Sequence, residues 1–497
     1  MPLSAGRRLA ILALALVAAR SLVWVCWEQS HFDSDQAIYG LMAKHLAEGR
    51  AFPVFMYGQT YMLAVEAWLA APLFALFGSS VALLKLPVLA INLAIAALLV
   101  RTLARDAGLQ PLEAFAASLP FVAAPPIVSS RLAEAAGGNV EPLLYTLILW
   151  VVRARPAAFG AVAGIGILHR EFTVYAVVAI WLLAWRDGVI GLRRGWRRIG
   201  TPLAVMAAVI LVVNLLAARS DIMGPGTAGM LPAAPIVAGT AVQVCTTPSE
   251  IGPNLAWLVS RNLPALFGWR HEPLAAYNIT SRSWSGHGWA LWPLGLTGTL
   301  ALVVRLRHRS DPAGGAGAFR DRVPPRRFPV YLLLVGLQAA LVYVVAGCSV
   351  RDPMLIRYTL LALFAGVGLV AMLFQASRSR TVSLIGLAGM FAWASASLWD
   401  SGRLIDEYVR REPPNSARQL ITYLESQRVQ YGRAPYWTAY AVTFLSQERI
   451  TLASTGKIRV TAYQDAVARA ANPVTIATDP PCTDPRAVRL QQWCIIR

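Results

Sequence analysis

Apolar runs close to membrane-spanning length recur along this chain, at roughly 9–27, 81–101, 111–127, 139–153, 156–169, 171–185, 199–217, 287–306, 328–348, 354–375 and 381–399. A bilayer core takes about 20 helical residues, so the pattern predicts a polytopic α-helical membrane protein. Arginines punctuate the runs: Arg101 and Arg105, Arg153 and Arg155, Arg186 to Arg198, Arg305 to Arg327, and Arg378 with Arg380. With about eleven crossings, every one of these clusters falls on the same side, and an excess of basic residues marks that side as cytoplasmic. The run that follows Arg8 and reaches Trp24 and Trp27 then reads as a retained signal anchor, N-terminus inside. The C-terminus lies outside.

One stretch breaks the spacing. Residues 156–185 have basic residues at both ends, so both ends are expected on the cytoplasmic side, yet only about thirty residues are available to enter and return. Two short helices meeting at His169-Arg170-Glu171 satisfy this. Charged backbone turns at membrane depth are tolerated only where they line a polar cavity. The hairpin therefore predicts a water- or ligand-filled cavity opening to the outer face.

Residues 1–399 form the expected transmembrane unit, with two outer loops, 28–80 and 218–286. The second contains an amphipathic piece, Pro248 to Trp269. Residues 400–497 have ordinary soluble composition and are expected to form a small extracytoplasmic α/β domain. Its elements would be a helix over Ala417 to Gln427 and strands over Tyr440–Leu445 and Val474–Ala477. The Gly/Pro/Arg-rich stretch 310–327 reads as a cytoplasmic linker.

Composition agrees with this picture. The 497 residues are 56% hydrophobic and 14% charged, with mean hydropathy +0.52, against about 25% charged in soluble proteins. The formal net charge of +19 would suggest nucleic acid in a soluble chain. Here it is spent on topology, so no nucleic-acid partner is expected. Five cysteines make no disulfide framework. Cys482 and Cys494 are the candidate bridge, and Cys26, Cys245 and Cys348 read as apolar fillers. No Walker loop, dinucleotide fingerprint or Cys/His zinc spacing is found. The aromatic residues at helix ends (Trp24, Trp27, Trp284, Trp289, Tyr436, Trp437) read mainly as an interface belt. Asn278-Ile279-Thr280 has the glycosylation-acceptor spacing and carries no weight outside a eukaryotic secretory route.

The first loop carries the chemistry. Asp33 and Asp35 stand just beyond the first span. Asp33 with Gln36 three residues on fits a capping box, so its first reading is an N-cap, with a catalytic role second. Asp35 then sits in the first helical turn, free to act as a carboxylate base toward an attacking hydroxyl or to interact with the helix dipole.

The pattern Asp35-Gln36-Ala37-Ile38-Tyr39, a helix, Glu48-Gly49, then Pro53, Gly58, Tyr61 and a helix ending Leu76-Phe77-Gly78 resembles the GT-C superfamily of integral-membrane glycosyltransferases. Within it, the protein O-mannosyltransferase and lipid A aminoarabinose transferase branch is most similar. Aligned on Tyr39, Asp35 matches the first acid of that branch's acidic pair and Gln36 replaces the second. Val65-Glu66-Ala67-Trp68 stands where the branch shows Lys/His-Pro-Pro-Leu. Lys85 matches a usually basic position, and Gly164–Thr173 resembles the family's short mid-membrane helix pair. Arg357-Tyr358 resembles its Arg-Tyr motif, and Tyr436 to Ile450 a C-terminal segment of bacterial members.

The resemblance implies transfer of a sugar from a polyprenyl-phosphate donor to an envelope glycan, lipid or protein acceptor. This would take place at the outer face of a bacterial inner membrane, with Asp35 as general base. Lys85, Arg170, His169, Arg357 with Tyr358, and Arg351 are the candidates for holding the lipid phosphate, because a departing phosphate builds negative charge and arginine matches its oxygens bidentately. Glu66, Glu134, Asn139, Tyr57 and Gln59 are further candidate substrate-binding groups. No metal ligand is assigned, although a divalent cation is possible. The plainer readings are snorkelling for Arg351, Arg357 and Lys85, an ion pair of Arg170 with Glu171 or Glu134, a structural His169, and a solvated loop for Glu134 and Asn139. The rival functions are a flippase of lipid-linked saccharides, an oligosaccharide ligase or polymerase of another membrane fold, and a catalytically silent binding protein of the same fold.

Overall fold

The computed structural model describes residues 4–59, 61–190, 196–220, 247–268, 323–346, 353–377, 379–478 and 487–496, with a few isolated positions. Most of the second outer loop, the run 287–306, most of the linker 310–327, Cys245 and Cys348 lie outside the described residues.

Six described helices are long and apolar enough to cross a membrane: Ala5–Cys26 (α1), Val81–Arg105, Arg198–Ala217, Pro325–Val345, Ile356–Ala376 and Arg380–Arg410. The chain is a multi-pass membrane protein. The run 111–127, expected as one helix, is bent by 81° between Pro111–Val122 and Pro126–Leu132 and makes a seventh span if taken as one. Pro125 and Pro126 cause the break, since neither can donate a helical hydrogen bond. The freed carbonyl of Val122 is met by buried Arg20 of α1, whose Nε donates to it at 3.2 Å while Nη2 donates to Asn92 at 3.0 Å. A lone arginine in an apolar span often marks function; this one stitches the broken helix.

The runs 139–153, 156–169 and 171–185 become helices Glu141–Val152, Pro156–His169 and Val174–Arg186, of 12, 14 and 13 residues. The last two form the expected short pair, joined through a 3₁₀ turn, Glu171–Thr173. They splay apart. Pro156–His169 packs along Trp196–Ala217, and Val174–Arg186 packs against Phe328–Ala346. Their junction leaves His169 and Arg170 buried inside the bundle.

At one end of the bundle, helix α2 (Ser34–Ala47) and helix Val65–Phe77 pack on each other, and the C-terminal unit covers them. The last span runs unbroken through residue 400 to Arg410. Beyond it lie helices Ser416–Ser426, Tyr436–Leu445 and Thr461–Arg469 and a five-stranded sheet. The sheet order is β2 (Thr451–Ser454), β1 (Tyr431–Ala434), β3 (Val474–Thr478), β5 (Trp493–Ile496), β4 (Val488–Leu490). β1 pairs parallel with β2 and β3, and the β3–β5 and β5–β4 pairs are antiparallel.

The expected helix over Ala417 to Gln427 and the strand over Val474–Ala477 are found. The expected strand Tyr440–Leu445 is instead the second half of helix Tyr436–Leu445. Its apolar residues are buried all round, between α2 and the sheet, so the alternation that marks a half-buried strand has no exposed face to match. Cys482 and Cys494 are bridged, with Cα atoms 5.7 Å apart. Cys26 is exposed.

Candidate functional site

The site starts at the N-terminus of α2. Asp33 is its N-cap: the side chain accepts from the Gln36 backbone N–H at 3.1 Å. The capping box is half formed, because the Gln36 amide turns away to the His31 carbonyl (3.4 Å) and accepts from the Ala135 N–H (3.4 Å). Gln36 thus ties the first loop to the segment 133–140.

With the cap supplied by Asp33, Asp35 projects. Its carboxylate takes two partners from distant parts of the chain. Tyr436 donates its hydroxyl to Oδ1 at 2.6 Å, and Arg357 Nη1 stands 3.9 Å from Oδ2. The Asp35 side chain is 17% exposed and that of Arg357 20%, so this edge is reachable from outside. The Arg357 guanidinium lies 5.3 Å from the Tyr358 ring centroid, and its Nε has no hydrogen-bond partner. The Tyr358 ring is in turn set edge-on against Phe172. The Arg-Tyr pair therefore presents a guanidinium toward Asp35 with donors to spare.

Beside this edge lies a polar cluster. Glu134 accepts from Arg131 Nη1 at 2.8 Å and from Asn139 at 2.7 Å, and His31 Nε2 stands 3.7 Å from its other oxygen. Burial works to raise the Glu134 carboxyl, but the Arg131 charge outweighs it and holds the group well below the usual carboxylate range. Burial pushes the Asp33 carboxyl up to about 7, with the Glu134 and Asp35 charges adding to the effect. The same burial pushes His31 down to about 4. Glu134 and Asn139 are thus buried members of a charged network, not a solvated loop.

A second buried cluster sits below. Glu66 Oε1 accepts from the Gly137 N–H at 2.8 Å and the Gly138 N–H at 3.2 Å, and His169 Nε2 stands 3.3 Å from its Oε2. The other nitrogen of His169 meets the Tyr145 hydroxyl at 3.1 Å. Gly137 and Gly138 have φ of +75° and +86°, and a Cβ at 138 would lie 2.9 Å from the Arg170 side chain. Only glycine allows both the backbone angle and that approach. Buried Arg170 donates to Met62 Sδ at 3.1 Å and lies 5.4 Å from the Phe172 ring centroid, and its Nε has no partner. Among the described residues, no ion pair joins it to Glu171 or Glu134.

Among the described residues, two trios bring ligand atoms within 4.8 Å of one another: His31, Asp33 and Glu134, and Glu66, Glu141 and His169. In the first, Arg131 already supplies the cation, 2.8 Å from Glu134 and 3.2 Å from the His31 ring nitrogen. In the second, Glu141 Oε1 is buried without a hydrogen-bond partner, and Glu66 Oε2 and His169 Nε2 face each other at 3.3 Å. That donor set fits a divalent cation.

Three candidates have other partners than Asp35. Lys85 is buried and donates to the carbonyls of Trp24 (2.9 Å) and His31 (2.5 Å). Arg351 pairs with Glu250 at 2.7 Å on the surface. The Tyr57 hydroxyl meets His45 Nδ1 at 2.9 Å, in the contact between α2 and the C-terminal unit. Gln59, with its amide turned so that donors face acceptors, takes two hydrogen bonds from Arg459 at 2.6 and 2.7 Å. Tyr436, expected in an interface belt, is a ligand of Asp35. Sequence reasoning passed over it, His31, Arg131 and Arg459. Only the Arg131–Glu134 spacing, one helical turn, could have signalled its pair.

Helical spans carrying a first-loop acid, a short interrupted helix pair and a C-terminal α/β cover have counterparts among solved structures. The fold is similar to that of ArnT from Cupriavidus metallidurans bound to undecaprenyl phosphate, with TM-score 0.63 at 11% identity over 99% of this chain and 98% of that one. It is also similar to the apo Archaeoglobus fulgidus oligosaccharyltransferase, with TM-score 0.52 at 12% identity over 95% of this chain and 69% of that one. No protein-family profile matches the chain, and no curated protein matches it by sequence. What the chain shares with these two proteins is the fold.

Proposed function

We propose that this chain is an inverting glycosyltransferase. It would move a hexosyl or pentosyl group from a polyprenyl-phosphate donor to an envelope glycan, lipid or protein acceptor. The outer face of a bacterial inner membrane is the proposed place, with the C-terminal unit on that side. The observation that carries the reading is the Asp35–Arg357 pair: a reachable carboxylate edge and a guanidinium with an unused donor, 3.9 Å apart. The similar fold of a protein crystallised with undecaprenyl phosphate supports a lipid phosphate as the partner.

In the proposed reaction the acceptor hydroxyl gives its proton to Asp35 Oδ2 as its oxygen bonds the anomeric carbon. The bond from that carbon to the phosphate oxygen breaks, and the electron pair leaves with the polyprenyl phosphate. Attack opposite the leaving group inverts the configuration. Arg357 stabilises the charge that grows on the phosphate, where a preorganised donor is most effective, with Arg170 as the second guanidinium. If Glu66, Glu141 and His169 hold a divalent cation, it would add positive charge beneath the site.

The test is Asp35→Asn in purified protein supplied with radiolabelled polyprenyl-phosphate sugars. Transfer is expected to fall by orders of magnitude while donor binding survives. Unchanged turnover sinks the assignment.

A further inference from the structure

The C-terminal unit does more than cover α2. Tyr436 opens its helix, 401 positions from Asp35, and donates to Asp35 Oδ1 at 2.6 Å. The phenol oxygen itself faces Arg459, whose Nε stands 3.4 Å away. A hydroxyl whose lone pair meets an N–H must turn its proton elsewhere, and here the carboxylate is waiting. Arg459 is fixed in its turn. Its two terminal nitrogens donate to Gln59 of the first loop, and its backbone N–H donates to Tyr440 at 2.6 Å.

The surfaces on either side are cut to fit this relay. Ser34, next to Asp35, donates to the Tyr436 carbonyl at 2.6 Å and accepts from the Ala441 N–H at 3.3 Å. Gly40 lies under Phe444, where a Cβ would come within 2.6 Å of the ring. Gly58, at φ +65°, brings the first loop so close that a Cβ would lie 3.1 Å from the Arg459 Cα.

We infer that Tyr436 is a positioning residue for Asp35: it holds Oδ1, with Arg459 behind it, and leaves Oδ2 as the oxygen presented to the acceptor. The C-terminal unit is then a structural part of the reaction centre. This rests on Asp35 being the base, and the experiment separates the two claims. A carboxylate free to rotate loses much of its alignment with the attacking hydroxyl, and small misplacements at a reacting group are costly in rate.

The test uses the full-length chain and radiolabelled polyprenyl-phosphate sugar, with Tyr436→Phe, Arg459→Met, Asp35→Asn and the double variant Asp35→Asn/Tyr436→Phe. Tyr436→Phe is expected to lower kcat, expressed per donor-binding site titrated in each preparation, about 10- to 100-fold with donor KM within about twofold of wild type; the titration is needed because a loss of folded enzyme lowers apparent kcat at constant KM. Arg459→Met should show the same split more weakly. The double variant should be no slower than Asp35→Asn alone, because the phenol acts only through that carboxylate. A Tyr436→Phe or Arg459→Met enzyme with wild-type kcat, beside an inactive Asp35→Asn, overturns the inference and leaves the base assignment standing. So does a rise in KM at constant kcat. An active Asp35→Asn overturns both.

Discussion

The Glu448 carboxylate meets the Lys44 ammonium at 2.5 Å, across 404 positions of sequence, and so joins the C-terminal unit to α2. His45 Nε2 stands 3.1 Å from the same carboxylate, Tyr463 donates to it at 2.8 Å and Arg50 at 2.5 Å. Burial opposes its charge, but these donors outweigh burial and hold the group far below the ordinary glutamate range. Gln447 and Glu448 both adopt positive φ, +58° and +62°, a conformation that non-glycine residues keep only when their surroundings hold them there.

Glu448→Ala would leave His45 and Tyr463 without their carboxylate, and Lys44 and Arg50 with only Glu48 as anion. Removing one side of a buried ion pair costs about 3–5 kcal/mol; with solvent reaching part of this one, about 2 kcal/mol is expected. The thermal midpoint in detergent should fall by several degrees, and limited proteolysis should cut near residues 411–415 sooner. A variant as stable and as resistant as the parent would show that docking rests elsewhere.

Lys85 separates a structural cation from a functional one. Its ammonium satisfies the Trp24 and His31 carbonyls where α1 hands the chain to the first loop. Lys85→Met removes both bonds and also relieves the burial of a charge. The net loss expected is about 2 kcal/mol, as buried acceptors left unpaired cost about 1–3 each. Binding of undecaprenyl phosphate to the folded variant, followed by quenching of tryptophan fluorescence, should stay within about twofold of wild type. A tenfold loss of affinity at unchanged stability would return Lys85 to the phosphate site.

Arg357 should behave in the opposite way. Its guanidinium has an unused Nε and only a loose approach to Asp35, so Arg357→Ala should leave the midpoint nearly unchanged. Undecaprenyl phosphate affinity should drop about 10- to 100-fold, or about 1.4–2.8 kcal/mol, with Arg357→Lys intermediate, since an ammonium replaces the charge but not the fork. Equal affinity in all three proteins would place the lipid phosphate away from Arg357.

What could be read from the chain alone followed the range of each interaction. The N-cap at Asp33 and the helix pair meeting at His169-Arg170 rest on neighbours a few residues apart, and the apolar runs were plain. The 81° bend at Pro125-Pro126 was legible in principle, but a hydropathy count runs straight over two prolines. The site was legible on one side only. Asp35 and Arg357 stood out as charges at span ends, whereas the Tyr436–Asp35 bond spans 401 positions and left no local trace. The carbonyl partners of Lys85 left no trace in the sequence, because a buried ammonium capping carbonyls and one binding phosphate occupy the same place in it. Tyr440–Leu445 misled because β-branched and aromatic residues at a site buried on all sides do not reveal a period.

Asp33 makes stability depend on pH in a defined direction. In the folded chain its carboxyl is pushed up to about 7 from an ordinary value of 3.8, chiefly by burial, then by the Glu134 and Asp35 charges, against the Gln36 N–H and the Arg131 charge. A raised carboxyl binds its proton more tightly folded than unfolded. Its contribution is therefore complete below about pH 4 and is lost as pH rises to about 7, after which it is constant. At 1.36 kcal/mol per unit the whole effect is at most about 4 kcal/mol, and partial exposure of the side chain makes it smaller. Asp33→Asn is the suitable comparison, because asparagine caps a helix as well as aspartate does but cannot ionise. His31 and Glu134 titrate in both proteins, so they cancel largely in the difference. The thermal midpoint of wild type minus that of Asp33→Asn should fall between pH 4 and pH 7 and level off above. A flat difference over that window would mean that Asp33 is ionised throughout, with Arg131 and the Gln36 N–H prevailing over burial.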